Sequence, residues 1–166
     1  MTPPTPPTPP TPMDTVTLER RIAGARPETV FTFLTDRDKW LSWMGTDGTF
    51  SFEPGGEYRT RVTGQNVASG RFLKIDPPSS LTFTWGWEGP ATPLAPGSTT
   101  VQITLDPTPG GGTVLHLIHT GLPTSEACEA HAELWQHYID RLTQDAEGTT
   151  PTPDPWTQHP PNTERA

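Results

Sequence analysis

Residues 81–88 read Leu81-Thr82-Phe83-Thr84-Trp85-Gly86-Trp87-Glu88, with large apolar side chains at every second position and small or polar ones between. A period of two is that of a β-strand, so Leu81, Phe83, Trp85 and Trp87 face one side of a sheet and Thr82, Thr84, Gly86 and Glu88 the other. Three aromatic rings on one strand face require an opposing layer to cover them. The rest of the chain is therefore read for neighbouring strands and for that cover.

On either side the chain repeats the pattern of strand and turn. Downstream, the Gly89–Gly97 loop leads to Thr99–Leu105, and Pro107–Gly112 leads to Thr113–Thr120. Upstream, Asp76-Pro77-Pro78, Gly64-Gln65-Asn66 and Pro54-Gly55-Gly56 separate Val67–Ile75, Glu57–Val62 and Thr49–Glu53. Proline and glycine supply the dihedral angles that such turns need. Short links between successive strands imply an antiparallel meander. Arg59 and Arg61 share a face with Glu57, opposite Tyr58 and Val62, and are expected in cross-strand ion pairs on the solvent side.

The ends of the folded segment supply one more strand and the cover. Across Asp14–Ile22, Val16, Leu18, Arg20 and Ile22 alternate with polar residues, which predicts a first strand. Pro27 opens a short helix that carries Val30, Phe31 and Leu34, and Asp36 opens a second with Trp40, Leu41 and Met44. Near Thr124 or Ser125 a longer helix of about 20 residues begins, where Cys128, His131, Trp135, Ile139 and Leu142 recur at spacings of three and four. Its apolar face must pack on the sheet.

Composition divides the 166 residues into a domain at 13–145 and proline-rich tails at 1–12 and 146–166, which hold seven and five of the 22 prolines. Both tails are poor in apolar residues, so they cannot offset the entropy of ordering and are expected to be disordered. The Thr-Pro-Pro repeat favours extended polyproline II, as a spacer or as a peptide ligand for a proline-reading partner.

Charge and cysteine content narrow the function classes. Eleven basic residues among 19 acidic ones, a formal net charge of −8, give no concentrated phosphate-binding surface, so nucleic acid is not expected as a partner. Lone Cys128 cannot form an internal disulfide and fits a reducing cytoplasm. Neither a signal-peptide pattern nor a long apolar run occurs, so neither secretion nor a membrane span is expected.

No chelating or nucleophilic arrangement emerges, and neither a metal nor a cofactor is expected. His116 and His119 stand three apart on a strand and face opposite ways, whereas Cys128 and His131 share a helix face without a third ligand. His131 and His137 diverge around the helix. No Gly-x-Ser-x-Gly elbow or phosphate-binding glycine loop is present, and acidic neighbours raise the Cys128 pKa.

The order strand, two short helices, six strands, long helix resembles the α+β helix-grip fold of the START-like superfamily. Local motifs are similar to those of the family named for the activator of Hsp90 ATPase. They are Ala25-Arg26-Pro27-Glu28-Thr29-Val30-Phe31, Phe52-Glu53-Pro54-Gly55-Gly56-Glu57-Tyr58, Gly70–Pro78, Leu81–Trp85, Gly112–Gly121 and Trp135–Leu142. The resemblance implies a curved antiparallel sheet of about seven strands wrapped on the long helix, with a cavity between them that opens near the short helices. Residues so placed are Trp40 and Trp43 at the mouth, Phe52, Tyr58, Phe72, Phe83, Trp85 and Trp87 on the sheet, Leu115, Leu117 and His119 on the last strand, and Trp135 and Ile139 on the helix. Either they line a pocket for an apolar small molecule or they fill a solid core.

Three functions stay open at this point. The first is binding of an apolar ligand. The second is a cyclase, dehydratase or hydrolase using the same cavity, with His119, which shares strand parity with Leu115 and Leu117, as general acid or base; His119 is otherwise a buried imidazole bonded to Tyr58 or to backbone. The third, a chaperone-interacting module, follows from the family's name alone, and the further domain that serves this interaction in one branch has no room in this sequence. Homodimerisation is a further expectation, since sheets leave unpaired edges.

Overall fold

The computed structural model describes residues 14–64, 66–88 and 94–157; the tail at 1–12, part of the Gly89–Gly97 loop and the end of the C-terminal tail lie outside them. Seven strands form one antiparallel sheet in the order β1-β7-β6-β5-β4-β3-β2. They are β1 Val16–Ile22, β2 Asp47–Phe50, β3 Glu57–Thr63, β4 Asn66–Asp76, β5 Ser80–Trp85, β6 Thr99–Pro107 and β7 Thr113–Thr120. The helices are α1 Pro27–Thr35, α2 Arg37–Trp43 and α3 Ser125–Ala146. This is the helix-grip architecture expected from the sequence.

The strand limits depart most from the sequence reading at β2 and β5. Expected at Thr49–Glu53, β2 instead runs from Asp47 to Phe50, because the chain is already turning at Ser51: Glu53 N–H donates to the Ser51 carbonyl and Gly56 N–H to that of Glu53, both at 2.8 Å. Arg37 fixes the start of the strand by donating to the Gly48 carbonyl and the Asp47 carboxylate. Expected to reach Glu88, β5 ends at Trp85. A Cβ on Gly86 would lie 1.8 Å from the Ala95 carbonyl oxygen, so the returning loop crosses where no side chain fits. Beyond it, Trp87 bridges to Ala68, and Glu88 N–H donates to the Val67 carbonyl.

Capping sets the helices. Pro27 stands at the start of α1, the Asp36 side chain accepts from Lys39 N–H at the start of α2, and Thr124 accepts from Ala127 N–H at the start of α3. Along α3, Ala127, His131, Leu134, Trp135, Tyr138, Ile139 and Leu142 are buried on one stripe. Asp140, off that stripe, forms an ion pair with Arg20 of β1. On the outer face of the sheet Glu57 pairs with its register neighbour Arg71 at 3.2 Å, and Arg59 reaches across to Glu88 at 2.9 Å.

The segment after Asp145, expected to leave the domain as a tail, stays on it as far as Thr157. Asp154 is buried, and a short 3-10 turn over Pro155–Thr157 seats Trp156 on the His137 ring, with centroids 3.8 Å apart. Trp156 carbonyl accepts from Gly64 N–H, and Arg141 donates to the Thr152 carbonyl at 2.6 Å. The sequence reading missed this because proline removes backbone donors but leaves side chains free to pack.

Candidate functional site

Register brings the expected residues to one place. Phe72 pairs with Phe83, Phe83 with Val101, Val101 with His119 and His119 with Val16, which makes a row across five strands on the face toward α3. Of the thirteen residues expected there, twelve are buried and Phe52 is half-buried. Their rings touch in series: Trp40 lies 5.8 Å from Phe83, Phe83 lies 6.3 Å from Trp85, and Trp85 lies 5.0 Å from Trp135. Between sheet and helix these side chains pack on one another through such ring contacts.

Three concavities lined by described residues lie on the other face of the sheet. An open groove of about 640 Å³ runs over Glu57, Arg59, Arg71 and Glu88, and its walls are the ion-paired side chains of the solvent face. Of the thirteen residues expected around an internal pocket it shares only Tyr58.

Two histidines tie the sheet to α3. Trp135 Nε1 donates to His119 Nδ1 at 3.0 Å, so His119 carries its proton on Nε2 and donates to Thr99 Oγ1 at 2.8 Å; Thr99 in turn donates to the Trp85 carbonyl at 2.7 Å. His131 Nδ1 donates to the Ala127 carbonyl at 2.8 Å, and its Nε2 accepts from Trp87 Nε1 at 3.1 Å. The two imidazoles stand edge to face, centroids 5.0 Å apart. Burial, with the neighbouring His131 as a second cause, holds His119 well below its ordinary pKa. His131 is brought down to about 4 by burial, against the opposing pull of its bond to Ala127. Both rings are neutral, and all four nitrogens have partners of matching polarity.

The partner expected for His119 is corrected by this geometry. Tyr58 does not reach it; the Tyr58 hydroxyl donates to the Thr84 carbonyl, and burial raises the phenol pKa well above its usual value. Tyr58 faces Gly70 in register, and the missing side chain there leaves its hydroxyl room to cross toward β5. His131 was read only as a core or rim residue. Its position four before Trp135 on the buried stripe was the available signal for the network it completes.

The buried indole groups divide into two sets. Trp43 donates to the Phe33 carbonyl, Trp87 to His131 and Trp135 to His119. Trp40 and Trp85 have no acceptor for Nε1 among the described residues, although both side chains are fully buried. An unsatisfied buried donor costs about 1–3 kcal/mol, so interiors seldom retain one. Here two flank the same residue, Phe83.

Among the described residues, no three His, Cys, Asp or Glu side chains converge as a metal site would require. No described helix is long and apolar enough to cross a membrane. Cys128 is half-buried, and its thiol pKa is raised by burial first and by Asp14 and Glu129 next.

The sequence pattern described as "Activator of Hsp90 ATPase homolog 1-like protein" matches residues 24–147. The chain belongs to this family. A solved AHSA1-like protein from Rhizobium etli is 43% identical, with 86% of this chain and 87% of that one covered and a TM-score of 0.67. CalU16 from Micromonospora echinospora is 25% identical over 87% of this chain and 71% of its own, with a TM-score of 0.67. The Aha1 dimer from Colwellia psychrerythraea, at 19% identity and a TM-score of 0.68 over 82% of this chain and 98% of that one, shares the fold. No curated protein matches. Within the AHSA1-like match lie both histidines and the aromatic residues Trp40, Phe72, Phe83, Trp85 and Trp135, whereas Asp154 and Trp156 lie beyond its end.

Proposed function

We propose that this AHSA1-like protein binds an apolar small molecule between the sheet and α3, as a cytoplasmic carrier or sequestering protein. The observation that carries the reading is the pair of buried indole N–H groups of Trp40 and Trp85, which a solid core would have paired with protein acceptors. A guest entering the aromatic row would meet them. Phe50 and Phe52, half-buried and in ring contact with Trp40, mark the side from which it would enter.

Catalysis through His119 is the weaker reading, since both of its ring nitrogens are already engaged by Trp135 and Thr99. Self-association through a sheet edge is part of the proposal, with the dimeric Aha1 fold relative as its support.

Native mass spectrometry of the full chain, together with a thermal-shift screen of hydrophobic compounds, tests the binding reading. Added mass in the native spectrum or a rise in Tm with at least one compound class is expected. A protein of bare mass that no compound stabilises would overturn it.

A further inference from the structure

We infer that the guest is a neutral, ring-bearing molecule that presents hydrogen-bond acceptors, such as carbonyl or ether oxygens, to Trp40 and Trp85. The inference rests on the binding reading above and adds the ligand's chemical class. An indole N–H can only donate, so the two uncommitted groups beside Phe83 ask for acceptors and offer nothing to a ligand's own donors. Acceptors elsewhere in this region are already in use: His119 Nδ1 receives Trp135, His131 Nε2 receives Trp87, and the Trp85 carbonyl receives Thr99.

Charge is constrained by the same residues. No Lys or Arg is among the buried residues described, and the two buried histidines are held neutral by their partners. A carboxylate guest would present acceptors too, but it would be desolvated with no cation to balance it. A guest cation would find the one buried carboxylate among the described residues, Asp154, already bonded to Tyr138, His137 and the Trp156 amide.

Shape follows from the ring contacts. Trp40 meets Phe83 edge-on at 69°, and Phe83 meets Trp85 at 61°, so moving Phe83 aside would open a slot with an indole at each end. A flat aromatic ketone could stack there and accept from either N–H.

Equilibrium dialysis of the full chain against fluorene and 9-fluorenone tests this, because the two have nearly the same shape and differ by one carbonyl oxygen. Fluorenone is expected to bind about tenfold more tightly, the worth of one hydrogen bond to a donor otherwise left unpaired. The double variant Trp40→Phe/Trp85→Phe is expected to bring that ratio toward one, whereas either single variant, which keeps one indole N–H, retains part of it. Equal binding of the two compounds by the unaltered protein would overturn the acceptor inference and leave the binding reading standing. A ratio that survives in the double variant would overturn the assignment to these indoles. Binding of neither compound would overturn the inference, while the binding reading would still be judged by its own screen. If a variant fails to fold, the ratio in the unaltered protein decides.

Discussion

Trp135 of α3 and His119 of β7 are joined by an indole N–H that donates to imidazole Nδ1 at 3.0 Å, in a region where neither side chain meets solvent. The bond fixes the His119 tautomer and seats the helix on the sheet at one height. Trp135→Phe keeps a ring there but leaves His119 Nδ1 without a donor. Loss of the hydrogen bond and of packing volume together is expected to cost about 2–4 kcal/mol, read as a lower urea midpoint at unchanged slope.

His131 makes stability depend on mild acid. Its folded pKa of about 4 lies below the ordinary 6.5, so between those values the unfolded chain binds the additional proton. The contribution is fully present above about pH 6.5 and is lost as pH falls toward 4, about 3 kcal/mol in all. His119 is shifted in the same direction and adds to the slope. Denaturation midpoints at pH 7.5, 6 and 4.5 measure it, and His131→Gln is expected to flatten the profile without abolishing folding.

Asp154 holds the C-terminal segment. Burial alone would raise its pKa, but hydrogen bonds from His137, Tyr138 and the Trp156 amide outweigh that and hold the carboxyl below its ordinary value. Its contribution is therefore present above the ordinary value near 3.8 and declines only below it, a window separate from that of His131. Asp154→Ala is expected to remove about 2–3 kcal/mol and to speed proteolysis between Glu147 and Thr157. Cleavage at the parent rate would show that Trp156 and Arg141 hold the segment unaided.

Gly70 is a second test of packing. A Cβ there would come within 2.2 Å of the Thr84 carbonyl oxygen, the acceptor of the Tyr58 hydroxyl. Gly70→Ala must push β4 from β5, break that bond and the one from Arg71 N–H to Thr84 Oγ1, and cost on the order of 2–3 kcal/mol. The Tm of the variant checks it.

Local periodicity revealed most of the fold, because the sheet buries one face and the alternation at Leu81, Phe83 and Trp85 follows directly from that. The convergence of Trp40, Phe83 and Trp135 came from the family resemblance, and ring contacts running through Trp85 join them. What escaped was pairing at long range. Nothing near His119 in sequence distinguishes Trp135 and Thr99 from Tyr58 as partners, since the choice depends on sheet curvature and helix height. Asp154 stands between prolines in a polar segment, and its burial depends on Tyr138 and His137, which lie on a different element.

Pairing of β1 with β7 joins Val16 to His119 and Ile22 to Thr113, the first strand of the chain to the last. During synthesis β1 therefore waits, its hydrogen-bonding edge open, until nearly the whole sheet has left the ribosome. The domain cannot close from its N-terminus forward; closure waits for β7. Nascent chains arrested before Thr113 are expected to be digested readily by a protease, and chains extended past Trp156 to resist it. Equal resistance of the two would show that the meander stands without its first strand.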